Sequence, residues 1–143
     1  MTRFLLDTST VSAAVWKEPD PGVLAKLAEH GGECAICAPV WHELQFGVRR
    51  LPKGKRRGVL EDFLEEVVRA TLPILPYEER AATWHGEERA RLERAGRAPP
   101  FVDGQIAAIA ATSGIPLVTA NPTDFKWFKG LTVHNWVSGG GSG

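Results

Sequence analysis

Short apolar runs alternate along this chain with longer stretches in which apolar residues recur every three or four positions. The first run, Phe4-Leu5-Leu6, stops at Asp7-Thr8-Ser9-Thr10. This predicts a buried strand followed by a helix with several capping side chains, and it puts Asp7 at the strand's carboxyl end. Asp20-Pro21 opens a second helix carrying Val23, Leu24 and Leu27, and Gly31-Gly32 closes it. Cys34 to Ala38 reads as a strand. From Pro39 a helix follows in which Val40, Leu44, Gly47, Val48 and Leu51 form one stripe, and Glu43 lies within that stripe.

After a basic turn from Arg49 to Arg57, the spacing of Leu60, Phe63, Leu64, Val67 and Val68 predicts a further amphipathic helix, pairing with the preceding one as a hairpin. Pro73 and Pro76 limit the run 72–76 to a short or edge strand, since proline has no N–H for a ladder. Helical spacing returns from Tyr77 to about Ala95 and ends at Gly96. Beyond Pro99-Pro100, Asp103, Ile106, Ala107 and Ala110 mark another helix with an acid in its first turn. Ile115 to Thr119 is the next strand, residues 121–125 the loop after it, and Thr132-Val133-His134 a last short strand. Strands alternating with helices imply an α/β fold, a mostly parallel central sheet flanked by helices on both sides, because parallel neighbours need crossover connections.

A length of 143 residues suits one domain, expected over residues 1–137. Residues 138–143 have the composition of a flexible, appended Gly/Ser tail. A formal net charge of zero excludes a generally basic nucleic-acid coat, so an anionic substrate has to be met by local patches. No apolar run approaches the roughly 20 residues of a membrane span, and the first run breaks at Asp7 too early for a signal sequence, which points to the cytoplasm. Cys34-Ala35-Ile36-Cys37 has redox or zinc spacing, but in a strand the two thiols point to opposite faces and there is no second pair, so they read as structural.

The acids carry the chemistry. Asp7 ends a strand, Glu43 and Asp103 are read as standing at helix starts, and Asn121 with Asp124 follows a late strand. All can meet above the sheet's carboxyl edge, where such folds bind ligands. Taken singly, each acid has a plain structural explanation as a helix cap or as a counter-charge to a helix end. Taken together that explanation weakens, because Glu43 and Asp103 lie on apolar stripes where an unpaired carboxylate is costly. A cation resolves the conflict. Clustered oxygen donors without Cys or His suit Mg²⁺, with Mn²⁺ as a substitute, and suggest phosphodiester hydrolysis in which the ion orients a water and lowers its pKa.

Four phrases, in order and with similar gaps, resemble the successive signatures of the VapC-type PIN domains: Leu6-Asp7-Thr8-Ser9, Trp41-His42-Glu43-Leu44-Gln45-Phe46-Gly47, Asp103-Gly104-Gln105-Ile106-Ala107-Ala108, and Val118-Thr119-Ala120-Asn121-Pro122-Thr123-Asp124-Phe125. The resemblance implies a PIN-like fold and a metal-dependent endoribonuclease, the toxin of a type II toxin–antitoxin pair. It also implies a cognate antitoxin protein as partner and a homodimer. Asp7, Glu43 and Asp103 match the family's first three acids, and Thr8, Ser9 and Thr119 match its hydroxyl positions. The fourth position falls on Asn121 or on Asp124, and both stay open as metal or catalytic residues. The alternative is a non-catalytic module of the same fold acting with an antitoxin in DNA-bound repression, with Asn121 as the trace of a decaying site.

Of two cationic stretches, the turn from Arg49 to Arg57 either steers RNA or is a solvated helix connection, partly neutralised by Glu61, Glu65 and Glu66. Arg89, Arg91, Arg94 and Arg97, nearer Asp103, are the expected RNA contacts. His30, His42, His85 and His134 share no metal spacing and read as structural. Trp16, Trp41, Trp84, Trp127 and Trp136 could stack bases, but core or interface packing is the commoner use of tryptophan.

Overall fold

The apolar runs become strands shorter than the runs themselves. In a computed structural model that describes residues 1–15 and 18–139, β1 is Phe4–Leu6, β2 Cys34–Cys37, β3 Ile74–Leu75, β4 Leu117–Val118 and β5 Val133–His134. They form one sheet in the order β3-β2-β1-β4-β5, and every pairing is parallel. Registers such as Leu5 with Ala35 and Leu6 with Val118 bury all of β1, β2 and β4, as expected of strands covered on both faces. The proline-limited β3 does lie at an edge.

Helices fill the connections: α1 Thr8–Ala13, α2 Pro21–Glu29, α3 Ala38–Arg49, α4 Lys55–Phe63, α5 Arg69–Thr71, α6 Glu79–Arg94 and α7 Phe101–Ser113. A π-helical turn, Leu64–Val68, joins α4 to α5 and buries Leu64 and Val68. A 3₁₀ turn, Pro122–Phe125, replaces the loop expected after β4, because Pro122 supplies a helical φ at its first position. Two other bounds move. Ala38 starts α3 rather than ending β2, and Lys55 to Arg57 belong to α4 rather than to the basic turn. Glu43 therefore sits in the second turn of α3, not at a helix start.

Cys34 and Cys37 are both buried and free, and burial pushes their thiols up to about 11 and about 12, which fits packing rather than redox or metal chemistry. Trp136 packs edge-on to Phe4, Trp84 lies beside Phe128, and Trp16 falls outside the described residues. Ser138, counted with the tail in the sequence, is docked. Its hydroxyl accepts from Gly22 N–H at 2.7 Å, and its own N–H donates to Asp20, the N-cap of α2, at 2.9 Å. Residues 140–143 lie outside the described residues.

Candidate active site

Strand order reverses direction at β1: the chain goes on to β2 on one side and returns through β4 on the other. Such a switch point leaves a crevice at the carboxyl ends of the two central strands, and both ends here carry polar side chains. Asp7 follows β1 and Thr119 follows β4, and they are buried at 6% and 0% exposure.

Asp7 is the N-cap of α1, and its Oδ1 accepts the Thr10 N–H at 3.0 Å. The Ser9 hydroxyl donates to the same oxygen at 2.6 Å. With the Ser9 proton on Asp7, Thr119 is the donor in the 3.2 Å contact between the two hydroxyls. Ser9 Oγ also accepts the Ala120 N–H at 2.9 Å, and Thr119 Oγ1 accepts the Asn121 N–H at 3.0 Å. This chain of hydroxyls clamps the β4 loop, with Asn121 and Asp124, onto Asp7. Burial still raises the Asp7 carboxyl above its ordinary value against these hydrogen bonds.

Glu43 reaches the crevice from α3, which packs against both α1 and α7. The Thr8 hydroxyl donates to its Oε1 at 2.6 Å and so fixes its direction. Asp103 comes from the first turn of α7. The helix approaches α6 closely at Gly104, where an added Cβ would run into the His85 ring. His85 is itself buried, 3.4 Å from the Tyr77 hydroxyl and edge-on to Phe101, and its pKa is lowered by burial and by Arg89. The sequence singled out neither this His85–Gly104 contact nor its effect on where Asp103 stands; a glycine directly after an acid in a helical first turn is the one signal that pointed to it.

Asp7, Glu43 and Asp124 all lie near enough to Asp103 for their charges to act on it. Asp103 is pushed up to about 6, first by burial and then by the negative charges of Asp124, Glu43 and Asp7. Among the described residues none of the four takes part in an ion pair with Lys, Arg or His. As the side chains lie, no three acids, cysteines or histidines grip a single point. A small hard cation does not require that, because it keeps several waters and takes one or two carboxylates directly. The residues therefore fit a hydrated divalent ion: oxygen donors only, repelling one another, with no protein cation among them. Asp124 couples to Asp103, whereas the Asn121 side chain makes no hydrogen bond among the described residues.

The expected RNA-binding arginines separate. Arg91 forms two hydrogen bonds to Glu88, at 2.7 and 2.8 Å, and a third to the Trp127 carbonyl, so its charge is neutralised within the fold. Arg89 lies 5.0 Å over the Phe101 ring and Arg97 over the Trp127 ring, while Arg94 is exposed near the end of α6. Lys126, beside Trp127, was not singled out in the sequence.

The profile of the family described as "PIN domain" matches residues 4–129. Among known proteins, "Ribonuclease VapC2" of Rickettsia felis is 32% identical over 93% of this chain and 97% of its own length. The "tRNA(fMet)-specific endonuclease VapC" of Shigella flexneri is 29% identical over 95% of this chain and 99% of its own. Among solved structures, DNA-bound VapBC from Salmonella typhimurium superposes with a TM-score of 0.85 at 25% identity, covering 95% of this chain and 99% of that one. These matches run nearly end to end and include the acidic crevice, so this chain is a PIN-domain protein and belongs to the VapC ribonucleases of the toxin–antitoxin systems.

Proposed function

We propose that the chain is an endoribonuclease toxin that hydrolyses RNA phosphodiester bonds at the crevice formed by Asp7, Glu43, Asp103 and Asp124, with Mg²⁺ as the working ion and Mn²⁺ able to replace it. The observation that carries the reading is that burial and the nearby charges of Asp124, Glu43 and Asp7 raise Asp103 to about 6, while none of the four acids is ion-paired among the described residues. A divalent ion bound there lowers the pKa of water and neutralises charge on the phosphate and the leaving oxygen.

The protein's own residues divide the remaining work. Asp7, fixed by Ser9 and Thr10, and Asp103, carried by α7, would hold the ion, and Glu43, fixed by Thr8, would support it. Asp124 is the fourth acid, and Asn121, whose N–H is tied to Thr119, supplies a neutral oxygen at most. The retained acidic set favours catalysis over a purely DNA-bound repressor role.

A cognate antitoxin is the second part of the reading. A largely apolar groove of about 770 Å³ runs between α1, α3 and α4, lined by Val11, Phe46 and Phe63 among others and also by Thr8 and Glu43. Such a groove suits the apolar stripe of a partner segment, with a cationic side chain of that segment directed at Glu43. The homodimer rests on family resemblance, and sedimentation of the purified chain decides it. No helix among the described residues is long and apolar enough to cross a membrane. A toxin that cuts cellular RNA and meets an antitoxin would do both in the cytoplasm.

The test is mapping of new RNA ends after incubation with total cellular RNA, with Mg²⁺, with Mn²⁺ and with chelator, beside Asp7→Asn. Discrete cuts that need the metal and vanish in the variant are expected. Identical cuts in the variant, or none from the wild type with either ion, would overturn the proposal.

A further inference from the structure

Trp127 is a large aromatic left 40% exposed on the surface, and it does not stand alone. The Arg97 guanidinium lies 3.2 Å from the centre of its ring, and the Lys126 ammonium lies 4.9 Å from the same centre. Both cations are exposed, and neither takes part in an ion pair among the described residues. The platform beneath them is anchored. The Trp127 carbonyl accepts from Arg91 at 2.8 Å, Arg91 is held by Glu88, and Glu88 also accepts the Lys129 N–H at 2.8 Å. Glu88 therefore neutralises Arg91 and leaves Arg97 and Lys126 without an ion-pair partner among the described residues.

Two cations held against one indole ring repel each other, and the ring offsets only part of that cost. An anion bonded to both offsets the rest. A guanidinium stacked on a ring still presents its N–H edge, the geometry that grips a phosphate with two parallel hydrogen bonds. Position selects the anion. Lys126 and Trp127 directly follow the 3₁₀ turn that carries Asp124, and three residues of chain span at most roughly 11 Å. Arg97 lies in the connection from α6 to α7, whose first turn holds Asp103. The patch thus adjoins the Asp103–Asp124 side of the crevice, within reach of a strand leaving it.

We propose that Arg97, Lys126 and Trp127 form an RNA clamp that holds a backbone phosphate near the scissile bond, with Trp127 as the platform that orders both cations. The proposal rests on the endoribonuclease reading above. It narrows the arginines expected from the sequence, assigning Arg97 to substrate and Arg91 to the scaffold.

The experiment is binding of labelled single-stranded RNA oligonucleotides of random sequence, with Mg²⁺, to the full chain carrying Asp7→Asn so that nothing is cut. In that background Arg97→Ala and Lys126→Ala should each weaken binding by about tenfold. Each should also reduce the slope of log affinity against log salt by about 0.7, as loss of one phosphate contact does for a single strand. Trp127→Ala should weaken binding at least as much as either, and Trp127→Phe, which keeps a platform, should restore most of it. Arg97→Lys should keep the salt slope and lose affinity. Arg3→Ala, paired with Glu33 at the amino end of β1, serves as the control. Unchanged affinity and salt slope in the Arg97→Ala, Lys126→Ala double variant would overturn the clamp, including the case where those changes weaken only antitoxin binding. Because this assay requires no cleavage, intact clamp-dependent binding beside a wild type that cuts no RNA would sink the nuclease reading and leave the clamp standing.

Discussion

The two sides of the crevice hold their acids in opposite ways. On the β1 side, Asp7 is almost wholly buried, yet it accepts from Ser9 and from the Thr10 backbone, and Ser9 is braced in turn by Ala120 and Thr119. On the α7 side, Asp103 is less buried but makes no hydrogen bond among the described residues and faces three other carboxylates, which with burial raise it to about 6. One acid is positioned by its own network; the other is frustrated until a cation arrives. A site for a divalent ion needs both, a fixed oxygen to define the position and an unsatisfied one to make binding favourable.

The difference can be broken at either end. Asp103→Asn and Asp7→Asn should each lower RNA cleavage by roughly a hundredfold or more, since both remove negative oxygen from the ion, and initial rates with Mg²⁺ measure it. Stability should separate them. Without divalent ion, Asp103→Asn should raise the melting temperature at neutral pH by relieving charge repulsion. Asp7→Ala, which removes a cap and strands Ser9, should lower stability by about 1–2 kcal/mol in urea unfolding. Destabilisation of Asp103→Asn alongside Asp7→Ala would mean that Asp103 is structurally satisfied.

A pH series sharpens the same contrast. Asp103 titrates near 3.8 when unperturbed and about 6 in the fold, so between those values the folded chain binds the proton more tightly. Its carboxylate therefore costs the fold nothing below about pH 4, and the cost grows as pH rises and is full above about 6. The stabilisation by Asp103→Asn should be present at pH 7 and vanish by pH 4, and wild-type cleavage should fall as pH drops below 6. Smaller effects come from the supports. Thr8→Val, which leaves Glu43 without its donor, should lower the cleavage rate by about tenfold with little change in melting. Gly104→Ala forces α7 off the His85 ring and should destabilise by about 1–3 kcal/mol, with a loss of cleavage because Asp103 moves with the helix.

How much of this was legible in the sequence follows the same division. Asp7 could be read because a capping acid at the end of a short apolar run is a local pattern, and the all-parallel sheet followed from strands spaced by helices. Glu43 and Asp103 stood out as carboxylates on apolar stripes. The hydroxyls of Thr8, Ser9 and Thr119 were named by resemblance, but their bonds span up to 111 positions and depend on β1 lying beside β4, which no local pattern specifies. The division of the arginines was only half legible. Glu88 stands three residues before Arg91 on α6, a spacing at which helix side chains pair, whereas the stacking of Arg97 depends on the approach of the Trp127–Lys129 loop. The tail boundary missed Ser138 because its partners, Asp20 and Gly22, lie at the opposite end of the chain.

The most direct test of the central claim, that a frustrated acidic cluster is the divalent-ion site of this nuclease, is calorimetric titration of Mg²⁺ into the metal-free protein at pH 6, beside Asp103→Asn. Saturable binding to the wild type, accompanied by proton release from the carboxyl that the ion displaces to its ionised form and lost in the variant, is the predicted result. Binding of equal strength to both proteins, or no binding to the wild type, would contradict it.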